Sequence, residues 1–186
     1  LVISGHYYAV ALDMPGRGES VGNQLKTRSE FNLQKDGAAD IIANVIKGFG
    51  KKSSILIGYD WGAGIAISMA SCKKFRKMVT HVVCFHPSFN ETENGQLKSI
   101  SANFFLIWCK QDLFHNYKKW KGNANILSSS LGPSRYEQHI FNEKCWSKNG
   151  WRVNHKSDIE RRILTFLTGN DPVPKVKDVF VRPKVS

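Results

Sequence analysis

No apolar run in this chain approaches the roughly 20 residues needed to cross a bilayer, and no signal-peptide pattern is present. A membrane span is therefore not expected. There is no Cys-x-x-Cys pair, and the cysteines at 72, 84, 109 and 145 stand far apart, which argues against the common zinc and dithiol motifs. Cys72, Cys84 and Cys109 fall in segments that read as helix or buried strand, so they are expected as reduced core thiols. A cytoplasmic location follows as the matching expectation, and no metal or cofactor is expected. Acidic residues are also scarce: 15 Asp and Glu stand against 27 Lys and Arg, for a formal net charge of +12.

A positive excess of that size raises nucleic acid or an anionic surface as a partner. The cations, however, come in scattered pairs, Lys51-Lys52, Lys73-Lys74, Lys118-Lys119 and Arg161-Arg162, without a long basic run or a recognisable nucleic-acid module. The expectation is a solvated basic surface and no nucleic-acid partner. Internal repeats, low-complexity blocks and linkers are missing too. With 186 residues, 41% of them hydrophobic and 23% charged, the chain can bury one core. It opens on Leu1, and "LVISGHYYAVALD" begins inside a pattern, so it is expected to be a piece of a longer protein.

What is present alternates. Tyr7–Leu12, Ser54–Ile57, Met78–Phe85 and Asn103–Cys109 are short, near-continuous apolar runs, and Tyr136–Phe141 is a more alternating one. Such runs suit strands covered on both faces. Between and after them, helical spacing recurs at Ala38, Ile41, Ile42, Val45, Ile46 and Phe49, at Ile65, Met69 and Cys72, and at Ile159, Ile163, Phe166 and Leu167, with Ser157 and Asp158 as cap candidates. Strands alternating with helices predict an α/β fold with a mostly parallel, doubly wound sheet. The core is expected over residues 1–168. Residues 169–186, "GNDPVPKVKDVFVRPKVS", lose helical period and read as an extended tail.

In such a sheet, functional groups gather beyond the carboxyl ends of the strands. "GYDWG" follows the second strand and places Asp60 in a sharp turn. "KQD" follows the fourth and ends on Asp112. "NHKSD" precedes the last helix and carries His155. A tight strand-to-helix turn needs small residues two positions either side of its apex, because strand and helix approach closely there; Gly58 and Gly62 are expected to supply them. The apex acid would then stand near the amino end of the next helix, where free N–H groups favour negative charge.

The motifs "YYAVALDMPGRGES", "GYDWGAG", "FFLIWCKQD" and "NHKSDIERRILTFL", in this order, resemble the aspartate-nucleophile branch of the α/β-hydrolase family, similar to epoxide hydrolases and haloalkane dehalogenases. The resemblance runs to about Leu167. It implies a nucleophile elbow and a catalytic triad: Asp60 as nucleophile, His155 as base and Asp112 as the residue orienting His155. Glu91 stays open as an alternative acid, and His86 and His139 as rivals of His155. A carboxylate is ionised at neutral pH, so it can attack an electrophilic carbon and form an ester that activated water then hydrolyses. Trp61 is implied twice, through its N–H as an oxyanion donor and through its indole as a holder of the leaving group.

The resemblance also sets expectations by what it leaves out. The family's opening strands and the His-Gly loop are not in this chain, so the sheet is expected to be incomplete, with a gap beside the second strand. Between Asn90 and Ser101 only a short segment stands where the family inserts a cap, and an open site is expected. The implied partner is a small electrophilic molecule, with self-association or a protein partner through the tail or the incomplete sheet left open. A non-catalytic relative that binds a ligand or partner is the competing reading.

Overall fold

The computed structural model describes residues 2–3, 7–14, 18–20, 28–88, 97–111, 117–142 and 156–169. In chain order the elements are β1 (Val2–Ile3), β2 (Tyr7–Tyr8), α1 (Arg28–Gly48), β3 (Ser54–Tyr59), α2 (Trp61–Ser71), a 3₁₀ turn (Arg76–Met78), β4 (Val79–Phe85), β5 (Asn103–Cys109), α3 (Tyr117–Leu131), β6 (Tyr136–Phe141) and α4 (Lys156–Thr168). Strands β3 to β6 form one parallel sheet in the order β3-β4-β5-β6.

The register sorts the apolar runs onto two faces. Leu56, Val82, Phe104 and Tyr136 stand in one row across the sheet, and Ile57, Val83, Phe105 and Glu137 in the adjacent row on the opposite face. The first face packs under α1, α2 and α3, where Ala43, Ile46, Ile67, Met69, Trp120 and Leu127 close on Val82, Phe104 and Leu106. The second packs under α4, whose Ile159 and Ile163 lie on Val83, Phe105, Ile107 and Phe141. β4 and β5 are buried on both sides over most of their length, which explains why they read as continuous apolar runs rather than alternating ones.

Helix α4 runs antiparallel to the strands. Asp158 in its first turn lies near His139 of β6, at 4.0 Å, while Phe166 in its last turn packs tilted against Phe105 and edge-on against His81, near the strand starts. Its cover does not reach β3, where Ile57 is 49% exposed.

The first expected strand is corrected. Of Tyr7–Leu12, only Tyr7–Tyr8 is extended, and it pairs antiparallel with Val2–Ile3 in a separate two-stranded sheet. Residues 9–12 form no strand, and Val10 and Leu12 are exposed. The reason is pairing: a strand is held by a neighbour's N–H and C=O groups, and among the described residues nothing pairs with the outer edge of β3. Helix α3 has no counterpart among the elements expected from the sequence. The cap candidate Asp158 is also displaced: it sits inside the first turn of α4 and accepts hydrogen bonds from Arg161 and Arg162.

Candidate functional site

Asp60 stands between the last residue of β3 and the first of α2, with φ 50° and ψ −112°. A non-glycine residue there is strained by about 1–3 kcal/mol and persists only if the surroundings over-determine it. An ordinary N-cap residue has extended backbone and bonds its side chain to the helix. Asp60 does neither: its carboxylate makes no capping hydrogen bond to α2. The capping explanation for an acid at this position therefore fails.

Three features hold the strained residue. First, its backbone is bonded on both sides to the chain leaving β4: Asp60 N–H donates to Phe85 O at 2.9 Å, and Ser88 N–H donates to Asp60 O at 3.1 Å. Second, α2 is a buried helix with an apolar body, Ala63 to Ala70, so its start cannot drift. Third, strand and helix touch at Gly58. A Cβ there would lie 2.5 Å from the N and Cα of Ala63 and from the carbonyl of Gly62, and a Cβ on Gly64 would lie 2.5 Å from Ser88 O.

The expected second clearance glycine is thus corrected. Gly62 has open space around its Cβ position, because the first turn of α2 presents its backbone, not its Cα substituent, to Gly58. The close approach on the helix side is made one turn position later, by Gly64 against Ser88.

The return from β4 to Asp60 is made by His86, a second non-glycine residue with positive φ, 46°, followed by Pro87. His86 is fully buried, and its N–H donates to Ile107 O of β5 at 3.2 Å. Its ring meets Tyr59 edge-on at 6.1 Å and Trp108 at 5.2 Å, and Trp108 in turn contacts Tyr117 at 5.7 Å. An aromatic belt therefore lines the carboxyl end of the sheet from Tyr59, beside Asp60, to Tyr117 at the start of α3. Trp61 opens α2, in the first turn whose N–H groups have no carbonyl four residues back within the helix.

Asp112 and His155 lie outside the described residues, as does Glu91. The segment 89–96, where a cap would insert, and the tail beyond Gly169 lie outside them as well. The rival His139 belongs to β6, three strands from β3 and so about 14 Å across the sheet. It packs edge-on against Phe141 and beside Asp158. His86, by contrast, directly follows β4, the strand paired with β3 beside Asp60. Burial alone would raise the Asp158 carboxyl, but hydrogen bonds from Arg162 and Arg161, and their charge, hold it below the usual carboxylate range.

The cysteine expectation divides. Cys72 and Cys84 are free, and burial pushes the Cys84 thiol well up. Cys109, at the end of β5, is disulfide-bonded. The expectation of a reduced thiol there is overturned, and with it the support that cysteine usage lent to a cytoplasmic location. No helix of the described residues is long and apolar enough to cross a membrane. Among the same residues no group of three or more His, Cys, Asp or Glu side chains is placed to hold a metal ion.

No protein-family profile matches the chain, and no curated protein matches its sequence. Solved structures do match its fold. A predicted CIB-like hydrolase from Thermoplasma acidophilum superposes with a TM-score of 0.66 at 20% identity, over 84% of this chain and 69% of the other. A meta-cleavage product hydrolase from Pseudomonas fluorescens IP01 gives 0.67 at 13% identity, over 90% and 82%. A lipase-esterase related protein from Clostridium acetobutylicum gives 0.58 at 17% identity, over 81% and 80%. At these identities the likeness is one of architecture, and with the parallel β3-β4-β5-β6 sheet it establishes that the chain carries the α/β-hydrolase fold.

Proposed function

We propose that the chain is a hydrolase of small electrophilic molecules, of the epoxide or alkyl-halide type, working through a covalent ester on Asp60. The observation that carries this reading is the strained backbone of Asp60, φ 50° and ψ −112°, at a strand-to-helix turn where its carboxylate caps nothing. Strain retained at a polar residue on the carboxyl edge of a parallel sheet is the mark of a group held out for chemistry.

In the proposed reaction an Asp60 carboxylate oxygen attacks the electrophilic carbon, and the bond from that carbon to the epoxide oxygen or the halide breaks with its electron pair. An epoxide oxygen leaves as an alkoxide and needs a proton or a hydrogen-bond donor. Tyr59 ends β3 and Tyr117 begins α3, both at the carboxyl end of the sheet, and their phenols are the donors proposed for it. Water then attacks the ester carbonyl carbon of Asp60. His155 takes the water's proton, Asp112 orients the ring and balances its charge, and the N–H groups at the start of α2, Trp61 first, stabilise the oxyanion. Collapse releases the product alcohol and restores the carboxylate. The names of the structural neighbours, two given as hydrolases and one as lipase-esterase related, support the general class of reaction.

Single turnover in oxygen-18 water, run on a panel of simple epoxides and haloalkanes, tests this. Water oxygen enters the Asp60 carboxylate, and mass spectrometry of the peptide carrying it should show the label. Label confined to the product would sink the nucleophile assignment. A ligand that stabilises wild type and Asp60→Asn alike, without turnover on either, would favour a binding protein instead.

A further inference from the structure

Every connection that leads from a described helix into a strand of the main sheet lies at its amino edge, opposite the Asp60 turn. Side-chain bonds tie these connections into one face. Thr80 Oγ1 donates to Ser54 O, Ser99 Oγ to Ser71 O, and Arg135 to Ser101 O. Four strands at about 4.8 Å spacing make the edge roughly 15 Å across. It collects cations that are scattered in the sequence: Lys51 and Lys52 before β3, Lys73, Arg76 and Lys77 before β4, and Lys98 before β5. Among the described residues no acidic side chain forms an ion pair with any of these, whereas Lys74 beside them is matched by Asp40 at 2.7 Å.

One side chain on this edge is of another kind. Phe49, in the turn between α1 and β3, is 62% exposed, and it is the one exposed aromatic among the residues whose side chains are described. It is not loose. Gly50 N–H donates to Lys47 O and Lys51 N–H to Ile46 O, with Gly50 at φ 67°, so a closed helix cap holds the turn. Helix carboxyl ends favour nearby cations, which accounts for some of the lysines here. It does not account for an aromatic ring held in water among them.

We propose that this amino edge docks on an anionic phospholipid surface, with Phe49 inserted at the headgroup boundary and the surrounding lysines on the headgroups. An amphipathic contact of this kind combines a buried ring with cations worth a similar increment each near the surface. A single strand of nucleic acid uses successive aromatic platforms along a groove, and this edge offers one ring on a broad face. Docking here leaves the Asp60 turn, at the far edge, turned toward the aqueous side.

Sedimentation of the full chain with phosphatidylcholine vesicles, with and without about 30% phosphatidylserine, at about 0.1 M salt, tests the proposal. Binding is expected only with the anionic lipid. Lys51→Glu should weaken it by about 25-fold, from roughly fivefold per unit of charge, and Phe49→Ala by about tenfold. Lys121→Glu, an equal charge change on exposed α3 surface, should cost less than about twofold. Melting temperature and circular dichroism identical to wild type confirm that each variant is folded. Four results would overturn the proposal: no binding to anionic vesicles, equal losses for Lys51→Glu and Lys121→Glu, no loss for Phe49→Ala, or tighter binding to a single-stranded oligonucleotide than to vesicles.

Discussion

Replacing Gly58 by alanine adds one methyl group at the point where β3 and α2 meet. That carbon would stand 2.5 Å from the Ala63 N and Cα and from the Gly62 carbonyl, about 0.9 Å inside ordinary contact, and all three neighbours are main-chain atoms. No side chain can swing aside, so the start of α2 must move away from β3 against the buried body of the helix. Overpacking costs about 1–3 kcal/mol, and rigid neighbours place this case near 3 kcal/mol. For a chain of this length that lowers the melting temperature by about 6–12 °C. Gly62→Ala is the internal control. Its Cβ meets nothing within 4 Å, and alanine favours a helical position over glycine by about 1 kcal/mol. It should be neutral or raise the melting temperature by a few degrees. Calorimetry or thermal circular dichroism on the pair decides the matter. A Gly58→Ala variant within about 0.5 kcal/mol of wild type, or a Gly62→Ala variant that is the more damaged of the two, would refute the packing described for the turn.

Further expectations concern strain, charge and redox state. Asp60→Gly relieves the positive φ and should stabilise the fold by about 1 kcal/mol in urea melts while abolishing any turnover; a destabilised variant would mean that the carboxylate itself supports the fold. The depressed Asp158 carboxyl contributes stability that is present above its unfolded value and lost as the pH falls through its folded one. The wild-type advantage over Asp158→Asn should therefore shrink below about pH 4. It should stay under about 1 kcal/mol, because the Asp158 side chain is 38% exposed and solvent screens it; an advantage that grows in acid would contradict the assignment. Thiol titration of the denatured chain should find two free thiols, those of Cys72 and Cys84, and four after reduction. Four without reductant would show that the Cys109 bond does not form.

How far the fold could be read in advance depended on how local its cause was. β5 and β6 begin and end where their apolar runs do: β5 is buried on both faces and announces itself by composition, and β6, a half-covered strand, by alternation. α3 escaped for a specific reason. Its buried residues Trp120, Ala124, Leu127 and Leu131 keep helical spacing, but Gly122, Asn123 and the run Ser128–Ser130 between them are weak helix formers that dilute the pattern. His86 shows the opposite limit. Nothing local marks it, yet its positive φ carries the chain round so that Ser88 reaches the carbonyl of Asp60.

The sequence by itself determined the strands β3 to β6 and the helices α1, α2 and α4, the acid at residue 60 and the need for glycine at residue 58, since each follows from apolar periodicity or from the sterics of one tight turn. Only the tertiary structure decided that Asp60 is strained and does not cap its helix, that Gly64 rather than Gly62 meets the neighbouring chain, and that Cys109 is oxidised. It also decided that lysines separated by dozens of residues share one edge with Phe49. These facts depend on which segments lie side by side in the sheet, and strand adjacency is set by long-range packing that no single stretch of the chain contains.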